Sequence, residues 1–557
     1  MRRYLALIPI LAFLCCSLAA RADDGAISQQ IRAHLEQIHD ANAPARSPAP
    51  QLRDLSLAEA VNQFYELRNF APAWTKPAHV EALLLELGTL REDGLDPEDY
   101  HLAELRQKHA LLQAGAADVI AQAEFDLLAS TAYLRSLAHL FRGKVKPVTL
   151  DAQWNFALHD MATEAALTLV NNAVVSGDIA GVYAQARPQH RLYQNARKAL
   201  AALRDIEKRG GWPALTIATT LKPGMQDPQV AVLRQRLAIA GYLPAPASGP
   251  AATIGSADNN GSAVYDNNNY DEELANTVRL FQRENYLDTD GAIGPATRTA
   301  LNVSVADRID QVRVNLERGR WLLHDIADST VVVDIAGYKV YFLKHGKPIW
   351  QANVQVGKPY RSTPTFKSNI TYVTFNPTWT VPPTIYKKDI LPKIRRDAGY
   401  LAKNNMRVLT PGGKEINASS VNWNSPGNIL LRADAGPDNP LGQVVIRFPN
   451  PYAVYLHDTS HKEFFDKSQR ALSSGCIRVE RPLELVELLL NDTEKWNRAA
   501  IDSKIAEGKT RNFDLATPVP LLLAYWTVDV LDIQRIAFKP DIYKRDPPLL
   551  RALNQRL

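Results

Sequence analysis

The stretch Tyr455–Glu480, YLHDTSHKEFFDKSQRALSSGCIRVE, holds Cys476 directly after a glycine and 19 positions after His457. It continues an alternating run, GQVVIRFPNPYAVYLHDT, whose period of two predicts two strands separated by Pro449-Asn450-Pro451. His457 is therefore expected at a strand end. Cys476 is expected in the loop just before a helix formed by PLELVELLLN.

The compartment makes this cysteine informative. The chain opens MRRYLALIPILAFLCCSLAARADDG. Arg2 and Arg3 precede an apolar run from Tyr4 to Leu18, and Ala20-Arg21-Ala22 fits a small-residue cleavage site. The run is shorter than the roughly 20 residues of a membrane span, so residues 1–22 read as a secretory signal peptide and the protein as exported to the periplasm. An uncleaved anchor is the alternative. Cys15 and Cys16 would leave with the signal, and the mature chain would keep Cys476 alone of three cysteines. Exported proteins usually pair their cysteines, so a leftover one points to a reactive thiol. A small apolar core filler is the competing role.

The neighbours of Cys476 favour reactivity. Gly475 lets backbone approach a substrate carbonyl and could place an N–H at an oxyanion. A nearby helix start would favour a thiolate, and Arg478 adds positive charge. A Cys/His pair suffices for acyl transfer, with Cys476 as nucleophile and His457 as general base and acid. His461 competes, but it follows DTS on a predicted loop, whereas His457 ends a strand that can hold it. A structural zinc site needs about four N or S ligands, which a mature chain with one cysteine does not easily supply. A redox motif would need a second cysteine. Thioester chemistry remains, with no metal and no cofactor expected.

Outward from this stretch, 557 residues exceed one core and predict several units. Losing Arg2, Arg3 and Arg21 brings the formal charge from +5 to +2, and no basic block marks a nucleic-acid surface. The expected fold class is multidomain α+β. Residues 23–54 read as a Pro/Ala-rich linker. Residues 55–223 read as a helical scaffold, from three- and four-residue apolar spacing in LSLAEAVNQFYELRNF and AEFDLLASTAYLRSLAHLF. Residues 224–303 pair two amphipathic helices, with a polar insert at 244–269 that reads as a mobile loop. A return helix is expected in 304–328. Alternating, Val- and Ile-rich strands begin at 329, and a long segment at about 377–442 lies between predicted strands as a lid or a rigid side layer. The catalytic unit is expected to span 329–510, with further strands in 511–557.

Two parts of the sequence resemble known families. Asp227, Leu233, Leu237, Gly241-Tyr242-Leu243, Val278, Phe281-Gln282, Asp290-Gly291, Gly294 and Thr297 resemble a helical peptidoglycan-binding domain. HDT…SSGCIRVE resembles the signature of L,D-transpeptidases with the YkuD-type catalytic fold, through Ser473, Gly475, Cys476, Ile477 and Arg478. The residue before the glycine, often histidine in that family, is Ser474 here. NFAPAW, VGKPYRSTPTF and FNPTWTVPPTI follow the order of the large Gram-negative YcbB-like subfamily. The resemblance implies attack of Cys476 on a tetrapeptide stem at the L-centre of diaminopimelate, loss of D-alanine and a 3→3 cross-link. It implies peptide stems and glycan as partners, carbapenem β-lactams as acylating inhibitors, and a capping role for 377–442. Arg478, Ser473, Ser474, Tyr455 and Trp379 become candidate substrate-binding residues. Water (an L,D-carboxypeptidase) or the lysine of an outer-membrane lipoprotein remain alternative acceptors. A non-catalytic wall-binding scaffold is the reading from a different class.

Overall fold

Alternation explains the strands of the second half. Val331 and Val333, Val340 and Phe342, and Val354 and Val356 are all buried, at every second position of three consecutive strands. The computed structural model of the protein describes residues 24–37, 55–151, 164–244, 268–530 and 535–556. The expected signal peptide, and the insert apart from residues 244, 268 and 269, lie outside them.

Strands β1 (Ser329–Asp334), β2 (Lys339–Lys344) and β3 (Lys347–Gly357) form an antiparallel meander, followed by β4 (Phe366–Phe375). Four strands of residues 377–442 come next: β5 (Trp379–Thr380), β6 (Met406–Leu409), β7 (Glu415–Ile416) and β8 (Leu430–Ala433). They make a separate sheet in the order β5-β8-β6-β7, over an apolar cluster of their own that includes Val381, Ile394, Val408 and Leu431. This segment is a folded layer rather than a long loop.

The chain then returns to the first sheet with β9 (Val444–Arg447), β10 (Leu456–His457), β11 (Ala471–Ser473), β12 (Ile477–Val479) and β13 (Arg511–Ala524). The order is β11-β3-β12-β10-β9-β4-β13-β1-β2, and β2 pairs again with β3, so the sheet closes on itself. Closure corrects the boundary drawn at 510, because β13 lies between β4 and β1 inside the catalytic unit. Its register shift falls between Asp514 and Val519, where Pro518 interrupts the ladder. The barrel interior collects Ile446, Leu456, Ile477, Val479 and Leu521 and is covered by helix Pro482–Leu490 through Leu485, Val486 and Leu489.

The first half is helical, as expected. Residues 24–37, read as linker, are instead helix, because Ile27, Ile31 and Leu35 recur every four residues and pack into the scaffold core. The C-terminal region holds strands Val528–Val530 and Ile536–Phe538 but ends in a helix, Asp546–Leu553, that buries Leu549 and Leu553 in the same core. In the small helical domain, Gln282 explains the family-like motif. Its amide donates to Asp290 Oδ1 (2.9 Å), the Ala292 carbonyl (2.9 Å) and Thr297 Oγ1 (3.1 Å), and its oxygen accepts the Gly291 N–H (2.8 Å). Gly291 turns at φ +73, where a side chain would be strained.

The return helix Val305–Leu322 ties the halves together. Arg320, 1% exposed, donates to Glu317, to the Asp93 carbonyl (2.8 Å) and to the Tyr193 hydroxyl (3.0 Å). Glu317 in turn accepts the Val145 N–H (2.6 Å), and Arg187 holds Asp93 at 2.9 Å. Removing one partner leaves an uncompensated buried charge. Arg320→Ala is therefore expected to destabilise the protein by about 3–5 kcal/mol in denaturant unfolding; a loss below about 1 kcal/mol would contradict this network as the joint.

Candidate active site

Period two decides which residues share the site. Leu456 on β10 pairs with Ile477 on the parallel β12 and with Ile446 on the antiparallel β9, and all three face the barrel core. Their neighbours must face the other way. His457 beside Arg478, Gln355 across from Arg478, and Val445 across from His457 therefore share the outer face. Tyr455 and Cys476, one step before the paired residues, point to the same side. Two two- and three-residue strands thus gather the thiol, the imidazole, a phenol and a guanidinium.

Cys476 precedes β12 rather than a helix, which corrects the helix-start argument: β12 separates it from helix Pro482–Leu490. The loop is held by its own polar atoms. Ser473 Oγ donates to the Cys476 carbonyl (2.6 Å) and accepts the Gly475 N–H (3.1 Å). Gly475 sits at φ +118, open to glycine and strained for other residues, and its carbonyl accepts from Thr363 Oγ1 (2.8 Å). Because its N–H is engaged by Ser473, Gly475 is not a free oxyanion donor here. Thr363 also accepts from the Gly357 N–H (2.9 Å), and its own N–H donates to the Tyr543 hydroxyl (3.1 Å). Tyr543 closes the set by donating to the Gly357 carbonyl (2.7 Å). The Cys476 loop is thus braced, through Thr363, from the C-terminal segment. Ser474 Oγ accepts from Arg361 (2.9 Å), which also pairs with Asp389 (2.5 Å) of the 377–442 layer.

His457 is buried and its tautomer is set. Nδ1 lies 2.5 Å from the Asp458 carbonyl, which can only accept, so Nδ1 carries the proton and Nε2 keeps its lone pair. Burial, reinforced by Arg478, lowers the imidazole to about 3, so it is neutral at pH 7. The Tyr455 ring meets the imidazole edge-on, with centroids 5.8 Å apart. Arg447 stacks over Tyr455 at 4.7 Å from the centroid. Arg478 donates to Gln355 (3.1 Å), and the Nε atoms of Arg447 and Arg478 are buried with no partner among the described residues.

The thiol is not the depressed one expected from its neighbours. Burial pushes Cys476 up from its ordinary value, against the lowering effects of hydrogen bonding to the Tyr455 backbone and of Arg478 and Arg447. It donates weakly to the Ala453 carbonyl at 3.7 Å. The resting pair is neutral thiol and neutral imidazole. Burial also keeps the Tyr455 phenol protonated, and Tyr455 hydrogen-bonds Cys476.

The other candidates fall into place. His461 is exposed, stacked on Phe464 and 3.4 Å from Glu463, away from the strand face that carries His457. Trp379 packs with the apolar cluster of the 377–442 layer rather than in the Cys476 loop. Sequence reasoning missed Thr363, Arg361, Arg447 and Tyr543. The first two lie in VGKPYRSTPTF, which carried a signal through its order in the chain; Arg447 and Tyr543 had none.

A thiol raised by burial reacts with alkylating agents only as its thiolate forms. The rate of Cys476 alkylation by iodoacetamide is expected to climb through pH 9 and above without a plateau near pH 7. A pH-independent rate from pH 5 to 7, lost in His457→Gln, would instead show a standing thiolate–imidazolium pair.

Residues 328–510 match the family model for the "L,D-transpeptidase catalytic domain" (YkuD), residues 226–301 that for a "Putative peptidoglycan binding domain", and residues 59–200 that for a "Scaffold domain". A "Putative L,D-transpeptidase" of Haemophilus influenzae is 33% identical over 219 residues, 39% of this chain and 44% of that protein. The match therefore spans less than half of that relative. An L,D-transpeptidase structure from Xylanimonas cellulosilytica, covering 55% of this chain and 98% of that one, is 15% identical with a TM-score of 0.18. One from Mycobacterium smegmatis, covering 36% and 59%, is 12% identical at the same TM-score. Both likenesses are too low to carry an argument. On the family matches, the chain carries a YkuD-type L,D-transpeptidase catalytic domain, joined to a peptidoglycan-binding and a scaffold domain.

Proposed function

We propose that the protein is a peptidoglycan L,D-transpeptidase that forms 3→3 cross-links in the periplasm through a thioester on Cys476. The observation that carries this reading is the locked tautomer of His457, whose unprotonated Nε2 belongs to a ring on the same strand face as the thiol.

The neutral pair dictates the order of events. As sulfur attacks the carbonyl on the L-centre of diaminopimelate, His457 Nε2 takes the thiol proton, so no standing thiolate is needed. The oxyanion forms beside the protonated Tyr455 hydroxyl, which is placed to donate to it. Collapse breaks the amide bond, and His457 returns its proton to the departing amine of D-alanine. The side-chain amine of a second diaminopimelate then attacks the thioester and gives its proton to His457. Cys476 leaves as thiolate and regains that proton. Arg478, with its free Nε, and Arg447 suit a stem carboxylate, which prefers a planar two-pronged donor. The Arg361–Asp389 pair ties the 377–442 layer to Ser474, beside the nucleophile, consistent with a cap over the acyl-enzyme. A carbapenem would present its strained carbonyl to the same sulfur. The signal-like residues 1–22 support export.

The test uses purified disaccharide-tetrapeptide and mass spectrometry. The expected products are tetrapeptide–tripeptide dimers, absent with Cys476→Ala and slowed at least about a hundredfold with His457→Gln. Tripeptide and free D-alanine without dimers would contradict the cross-linking assignment and make water the acceptor. Dimers that persist in Cys476→Ala would overturn the thioester.

A further inference from the structure

The Asp458 carbonyl decides the tautomer of His457, so whatever holds that carbonyl also holds the base. A histidine that reaches the carbonyl of the very next residue needs that peptide turned back toward its own ring. Strand pairing of β10 ends at His457 and does not dictate the turn.

The side chain of Asp458 supplies the hold. It is 3% exposed, and Oδ2 accepts the Gln443 N–H (3.0 Å) while the Asp458 N–H donates to the Val444 carbonyl (3.0 Å). One residue thus grips two consecutive peptide units of the neighbouring segment, by backbone and by side chain. The next residue is fixed as well, because Thr459 is buried and its Oγ1 accepts the His461 N–H (3.1 Å). Between these two anchored residues, the Asp458 carbonyl is left facing Nδ1.

The segment that receives Asp458 is shaped for it. Gly442 turns at φ +61, and a Cβ there would collide with the Asp458 carboxylate. The Gly442 N–H donates to the Asn439 carbonyl (2.8 Å), and the buried Asn439 amide donates to the Pro377 (3.0 Å) and Asp434 (2.8 Å) carbonyls. The Asn376 N–H donates to the Gln443 carbonyl (2.9 Å). The entry and the exit of the 377–442 layer are therefore stitched together where Asp458 docks. Stability alone does not account for an acid at this place. Asp458 Oδ1 is buried with no partner among the described residues, an unmet oxygen that costs free energy and that an apolar side chain would avoid.

We propose that Asp458 is a positioning residue. Its carboxylate, docked on Gly442 and Gln443 where the layer rejoins the barrel, holds its own carbonyl against His457 Nδ1 and keeps the Nε2 lone pair on the side of the thiol. The effect on turnover rests on the thioester reaction proposed above, whereas the effect on the tautomer does not.

Nitrogen-15 spectra of the His457 ring in the full chain, read beside the kinetics of dimer formation, test this. Asp458→Ala is expected to show a mixture of Nδ1–H and Nε2–H tautomers at pH 7, with kcat at least tenfold lower and KM within twofold of the parent. Asp458→Asn, whose amide oxygen still accepts the Gln443 N–H, is expected to restore the Nδ1–H form and bring kcat within threefold of the parent. Gly442→Ala drives a methyl group against the carboxylate; it is expected to give the same mixture and serves if Asp458→Ala fails to fold. A lower Tm in Asp458→Ala or Gly442→Ala with the parent tautomer and kcat would show a structural role only and overturn the proposal. Asp458→Asn as impaired as Asp458→Ala would overturn it too. A mixed tautomer in the variants of a parent that forms no dimers would uphold the positioning and contradict the cross-linking assignment instead.

Discussion

Everything at the candidate active site depends on the parallel pairing of β10 with β12. Leu456 beside Ile477 is an ordinary apolar contact inside a closed sheet, yet it decides where four reactive side chains go. A slip of one residue in either strand would turn the imidazole or the thiol into the core. Short strands specify register weakly by themselves. Here the register is secured by β9 and β3 on either side and by a barrel that leaves no open edge in that region.

The loop before β12 adds a second layer of constraint. Ser473 and Thr363 satisfy its backbone groups, and Thr363 is held in turn by Tyr543, which comes from well beyond the matched catalytic domain. Thus the C-terminal segment supports the candidate site, both as a strand of the barrel and, through Tyr543 and Thr363, as a brace for the Cys476 loop. Charge is arranged to match. Arg447 and Arg478 flank a pair that is neutral at rest, so positive potential is already present where the proposed attack would develop negative charge. The same guanidiniums help keep His457 unprotonated.

The sequence reading reached the helical half and the alternating strands because periodicity is a local signature, and it singled out Cys476 and His457, whose strands pair side by side, from a glycine beside a cysteine and a histidine at a strand end. It failed where the signal is non-local. β13 looked like a separate tail because pairing with β1 and β4 spans much of the domain. The helix start near Cys476 was misplaced because three residues of strand, Ile477–Val479, are too short to show a period. The thiol was expected to be depressed by a nearby helix start and Arg478, whereas burial, which sequence does not display, dominates. The helix in 24–37 was legible in the spacing of Ile27, Ile31 and Leu35 and was obscured by the proline-rich stretch after it.

The central claim is that the resting site holds a neutral imidazole with its proton on Nδ1 and its lone pair on Nε2. Nitrogen-15 chemical shifts of His457, assigned by difference with His457→Gln, read this directly. The account predicts one protonated and one unprotonated ring nitrogen at pH 7, a pattern that persists to about pH 4 because burial lowers the imidazole to about 3. Two protonated ring nitrogens at pH 7, reverting to one in Cys476→Ala, would contradict it and establish a charged pair instead.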